Sequence, residues 1–206
     1  MIRRLRAFTL VELLTVTAVV GLLAGLSLPV LGTARTRAKV TRSHVEMRNI
    51  ATALSMYHEE WKLYPPARTY CAGMMGSIDD YNELPAELTL YDFLDCAVED
   101  VFNPGHTYKY ISPGLGWANG ALTYLPIWVP EDFPGDGRPV AYWDQKESPV
   151  KYALWSVGPA GPMSVFESEA ARAPVPRSTW YDPASRSDGR GVVVYLWTGR
   201  LHHQSP

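Results

Sequence analysis

From Leu13 to Ala34 the chain carries no Asp, Glu, Lys or Arg, and this uncharged run limits the fold more than any other stretch. A length near 20 apolar residues is what a membrane-spanning helix needs. Three arginines, Arg3, Arg4 and Arg6, precede the run, and Arg35, Arg37 and Lys39 follow it. Charge is thus balanced on the two sides and does not by itself set an orientation. The long segment that follows would translocate largely regardless of charge, which places the N-terminus in the cytoplasm. A cleaved secretory signal has a shorter apolar core and a small-residue site; Ala24-Gly25-Leu26-Ser27 is a poor version of one.

Glu12 is the oddity in this region, an acid just inside the apolar stretch that begins at Phe8. An ionised carboxylate at such depth is costly and is usually paired or functional. The alternative is a carboxylate reaching the interface beside its own arginines. Gly21, Gly25 and Pro29 punctuate the run, and Pro29 is expected to kink the helix because it removes a backbone donor.

Between Arg35 and Tyr64 there is no Pro or Gly, and Val40, Met47, Ile50, Leu54, Tyr57 and Trp61 recur at helical spacing. That is a one-faced apolar stripe. A helix from Phe8 to Lys62 is predicted, roughly 80 Å long at the usual rise, stopped by Tyr64-Pro65-Pro66. Its second half needs a packing partner within the chain.

Residues 67–101 read as an irregular connection with a short helix over Leu90–Cys96. Beyond it, strands are predicted at Thr107–Ile111, Ala121–Val129, Arg138–Trp143, Val150–Val157 and Gly191–Trp197, separated by turn signals such as Pro113-Gly114, Pro134-Gly135 and Asp188-Gly189. A small antiparallel sheet laid on the stripe completes an α+β architecture. Most of the seven tryptophans and twelve tyrosines are expected in its core.

The order Arg-rich leader, small residue, then Phe8-Thr9-Leu10-Val11-Glu12-Leu13-Leu14 resembles the class III signal of type IV pilins and of the pseudopilins of type II secretion systems. Two further segments are similar to the major pseudopilin group: Met47-Arg48-Asn49-Ile50-Ala51-Thr52-Ala53-Leu54-Ser55-Met56-Tyr57, and Tyr152-Ala153-Leu154-Trp155-Ser156-Val157-Gly158-Pro159-Ala160-Gly161. Tyr181-Asp182-Pro183 with the run Asp188–Tyr195 resembles the closing loop and last strand of such proteins.

The resemblance implies a pilin-like lollipop. Its parts are a leader over 1–7, a transmembrane and filament-core helix over 8–34, an amphipathic helix over 35–66, and a periplasmic β-rich head over 67–206. A prepilin peptidase would cut between Ala7, where the family usually has Gly, and Phe8, and methylate the new amine. Glu12 would neutralise the Phe8 amine of a neighbouring subunit, since a buried unpaired charge is heavily penalised. The partners implied are the peptidase, other pseudopilin or pilin subunits, an inner-membrane assembly platform and inner-membrane lipid. The location implied is a single-pass inner-membrane protein that moves into a periplasmic filament. The family's calcium loop normally has an Asp at the position of Ala160, so no cofactor is expected. Glu167, Glu169, Asp182 and Asp188 read as solvated loop carboxylates rather than ligands.

Other functions fit less well. The balance of 19 basic against 21 acidic residues offers no broad basic surface for nucleic acid. His44, His58, His106, His202 and His203 have no zinc spacing with the cysteines, and His202-His203 reads as a solvated tail. Ser156 lacks the glycine-flanked elbow of a hydrolase nucleophile. Asp132, Asp136 and Gly137 match an EF-hand loop only in part, with Pro134 and Trp143 at ligand positions. Cys71 and Cys96 would form a disulfide only outside the cytoplasm. A minor type IV pilin, for adhesion, motility or DNA uptake, and a membrane-tethered enzyme or binding domain are the two competing readings.

Overall fold

The computed structural model describes residues 9–69, 82–129, 140–159, 161, 180–184 and 191–206, and the backbone but not the side chains of 26–30. Ala7, Phe8, Cys71 and Ala160 lie outside these residues. The chain divides into two compact units, Met1–Ala38 and Lys39–Pro206.

Helix α1 is Leu10–Trp61, close to the predicted Phe8–Lys62. It continues through position 29. In the first unit its side chains are nearly all exposed, including Leu10, Val11, Leu13, Leu14, Val16, Val19, Val20, Leu22 and Leu23. Among the described residues no helix is long and apolar enough to cross a membrane. The run expected to span, 8–34, includes Phe8 and the side chains of 26–30, which lie outside them.

In the second unit α1 becomes one-faced. Val40, Met47, Ile50, Leu54 and Tyr57 are buried, joined by Ser43, Ala51 and Ala53. The apolar ones belong to one core with Tyr108, Tyr110, Leu154, Val194 and Leu196 of the sheet region. Trp61 departs from the predicted stripe: it is half exposed at the last residue of the helix. Its ring stacks on Tyr57 at 6.0 Å and leans on Tyr91 at 5.6 Å, so neighbouring rings rather than the sheet cover it. The helix ends as Lys62 turns left-handed, at φ 59°.

Eleven strands are assigned among the described residues. Strands β4 (Lys109–Ile111), β9 (Tyr152–Ser156), β10 (Val193–Trp197) and β11 (His202–Gln204) form an antiparallel sheet in the order β11-β10-β9-β4. Every residue of β9 is buried, and so are the first four of β10. Strands covered on both faces read as continuous apolar and β-branched runs, which is why these two were visible in the sequence. The pair β1 (Arg68–Thr69) and β5 (Gly114–Ala118) is parallel, and β6 (Ala121–Leu125) follows β5 as an antiparallel hairpin. Strand β2 (Glu99–Asp100) pairs with β3 (Asn103–Thr107), and β7 (Ile127–Val129) with β8 (Val140–Tyr142).

Three expectations are corrected. The short helix is Glu87–Leu90 rather than Leu90–Cys96, because Leu88 is the apolar residue that enters the core. The segment 67–101 holds β1, β2 and this helix, so it is not wholly irregular. His202 and His203 are not a tail: they lie in β11, hydrogen-bonded alongside Trp197 and Leu196.

Candidate assembly site

The first turn of α1 is closed by Thr9 and Glu12. The Thr9 hydroxyl accepts the Glu12 N–H at 3.2 Å, while the Thr9 N–H donates to Glu12 Oε2 at 2.9 Å. The same hydroxyl donates to Oε2 at 2.7 Å. This reciprocal arrangement satisfies two donors that a helix start otherwise leaves open. Glu12 therefore has a local role that the sequence reading missed, although Thr-x-x-Glu before an apolar run is the signal for it. Both bonds to the carboxylate use Oε2, and Oε1 takes none among the described residues. The carboxylate can cap its own helix and still present one oxygen outward.

The two hydroxyls further along are turned inward. Thr15 Oγ1 donates to the Glu12 carbonyl and Thr17 Oγ1 to the Leu14 carbonyl, both at 3.0 Å. Such back-bonding leaves the segment without an unmet side-chain donor at these positions. What remains is an apolar cylinder with one carboxylate at its start, and Pro29, the predicted kink, lies further along it with its side chain among those not described.

In the second unit a buried carboxylate fixes the loop that follows β9. Asp100 accepts the Ser156 hydroxyl at 2.6 Å, the Val157 N–H at 2.9 Å and the Phe102 N–H at 2.9 Å. Burial raises its carboxyl above the ordinary 3.8, against the pull of these bonds and of Lys109. Beside it, Gly158 adopts φ +71° with the Gly191 carbonyl so close that a Cβ would fall 1.8 Å from it. The likeness to the pseudopilin loop motif at 152–161 therefore marks a tightly held junction. Residues 162–179 and 185–190, with Glu167, Glu169 and Asp188, lie outside the described residues; Asp182 accepts the Ala184 N–H in a local turn.

The remaining sequence candidates are dispersed. Cys96 is exposed, and its proposed partner Cys71 is not described. His58 stacks on Tyr64 at 4.5 Å, His106 Nδ1 meets Glu83 at 3.1 Å, and His202 packs on Trp197 at 4.2 Å. Burial lowers the His44 and His202 imidazoles, and Arg48 lowers both further. Ser156 serves Asp100 and the Gly158 N–H, as a structural hydroxyl.

No protein-family model matches the chain, and no solved structure does. The type II secretion system core protein G of Pseudomonas aeruginosa is similar to it: 29% identical over 112 residues, which are 54% of this chain and 77% of that protein. That likeness, to a structural component rather than to an enzyme, supports the pseudopilin resemblance at the level of the family.

Proposed function

We propose that the chain is a pseudopilin-type structural subunit of a type II secretion system. The observation that carries this reading is the apolar, solvent-facing N-terminal part of α1 with Glu12 at its start. A helix that is hydrophobic all round belongs in a membrane or inside a bundle, and a stored subunit uses first one and then the other. The likeness to core protein G supports the same reading. The uncharged run Leu13–Ala34 is the membrane-spanning element, and the rest of the chain lies on the periplasmic side.

Prepilin peptidase cleaves between Ala7 and Phe8 and methylates the new amine. Because Thr9 keeps its amide N–H after that cut, the cap on Glu12 survives processing. Glu12 Oε1 then receives the Phe8 amine of the next subunit within the apolar filament core. An ion pair removed from water is strongly disfavoured when one partner is missing, so the pairing sets axial register. The other partners are further pseudopilin subunits, the inner-membrane assembly platform and membrane lipid.

The test is the N-terminus of the protein recovered from host membranes. Mass spectrometry should find N-methylated Phe8; a retained Met1, or a start well past Phe8, overturns the assignment.

A further inference from the structure

The β5–β6 hairpin is closed by Asn119-Gly120, both with positive φ, at 51° and 77°. That is the two-residue turn that best matches strand twist. Across it Leu115 faces Tyr124 and Trp117 faces Leu122, and all four side chains are exposed on one face. Strand β6 is also the outer strand of its sheet among the described residues. Its sequence, Ala-Leu-Thr-Tyr-Leu, carries no charge and no Pro, the devices by which exposed edges are normally protected.

The hydrogen-bond phase of this edge is fixed. Trp117 donates its N–H to the Ala67 carbonyl at 2.9 Å, on the β1 side. Pairs 117–122 and 115–124 are thus the wide, non-hydrogen-bonded pairs of the hairpin. It follows that the N–H and C=O groups of Leu122 and Tyr124 point away from β5, along the open edge.

These two residues lie symmetrically about Thr123. An antiparallel copy of β6 placed on the edge with its two-fold axis at Thr123 sets Leu122 against Tyr124 of the copy, and Tyr124 against Leu122 of the copy. Both sets of outward backbone groups then meet in hydrogen-bonded pairs. Leu122 also gains an aromatic cross-strand neighbour, a favourable pairing. The register is self-complementary without any shift.

We propose that β6 is a self-pairing edge through which two copies of this chain join antiparallel about Thr123. The contact is isologous and so differs from a repeating filament contact; it does not rest on the secretion-system reading. A five-residue edge buries less than the ~1,200 Å² of a stable free interface. The pairing consequently needs copies held at high local concentration, as when the apolar side chains of α1 share one micelle or membrane.

Disulfide trapping of the full chain in detergent micelles tests this, with Cys71 and Cys96 replaced by Ser. Thr123 meets its own copy in a wide pair, where Cα atoms are ~4.5 Å apart, within disulfide reach. Thr123→Cys should give a covalent dimer on mild oxidation, at least tenfold faster than Ala121→Cys, whose copies lie about 13 Å apart in this register. Leu122→Pro removes an outward N–H without touching the β5 ladder, and in the Thr123→Cys chain it should abolish the dimer while circular dichroism stays unchanged. No dimer from Thr123→Cys, equal rates at 121 and 123, or a dimer that persists with Leu122→Pro would each overturn the proposal.

Discussion

Glu12 serves its own helix through Oε2, which makes the proposed assembly role separable from the capping role. Thr9→Ala removes the hydroxyl that accepts the Glu12 N–H but leaves the carboxylate. Co-expressed with wild type, Thr9→Ala should enter filaments at near-normal levels, whereas Glu12→Ala should fall at least tenfold, as read by subunit counts in purified filaments. Equal losses would reduce Glu12 to a cap. At Asp100 the expectation concerns stability. Asp100→Asn turns a donor toward the Phe102 or Val157 N–H and should cost about 1–3 kcal/mol in urea unfolding. The raised carboxyl means that the folded chain holds this proton more tightly than the unfolded one. The Asp100 contribution is then fully present below the ordinary 3.8 and falls as pH rises through the raised value. The advantage of wild type over Asp100→Asn should shrink across that window. Glu12 was legible as an anomaly, and its cap was legible too, as the Thr9-x-x-Glu12 spacing before an apolar run. Asp100 gave no signal, since two of its three donors, the Ser156 hydroxyl and the Val157 N–H, are brought to it only by the fold.

Among the elements, two of the glycines with positive φ, Gly120 and Gly158, differ in what surrounds them. Gly120 has left-handed φ and open space, so Gly120→Ala should cost about 1–2 kcal/mol. Gly158 has left-handed φ and the Gly191 carbonyl against it, so Gly158→Ala should cost about 3 kcal/mol or more. Within α1, Leu54→Ala should cost about 2–5 kcal/mol because the side chain is fully enclosed. Denaturant midpoints of the three variants check this ranking. The buried stripe and strands β9 and β10 were readable because apolar and β-branched residues recur in them at a fixed period. Strand β5 was missed, as Gly114 and Gly116 break any such pattern; Gly116 is there because a Cβ would meet the Ala67 carbonyl at 2.6 Å. His202-His203-Gln204 carries no apolar alternation at all. Its strand exists because β10 offers an edge to it, information that resides in the partner.

For the whole molecule, the two units set different solubilities. The exposed apolar side chains of α1 in the first unit predict that the full chain requires detergent. A chain beginning at Lys39 retains Val40, Ser43 and Met47 in their buried places and should remain monodisperse without detergent in analytical ultracentrifugation. The sequence divided the chain at 34, by charge alone. The compact division falls at Ala38, where side chains first gain a core, and that depends on which residues the sheets happen to reach.

The turn before β9 is organised around an ammonium group. Lys151 Nζ donates to the carbonyls of Gln145 at 2.6 Å, Ser148 at 2.8 Å and Lys146 at 3.3 Å, so its three donors are matched by three backbone oxygens. Carbonyls converging in this way would otherwise suit a metal ion. Here the positive charge is tethered by the chain itself, and chelation or dilution cannot strip it away. This corner of the protein is fastened without a bound metal ion.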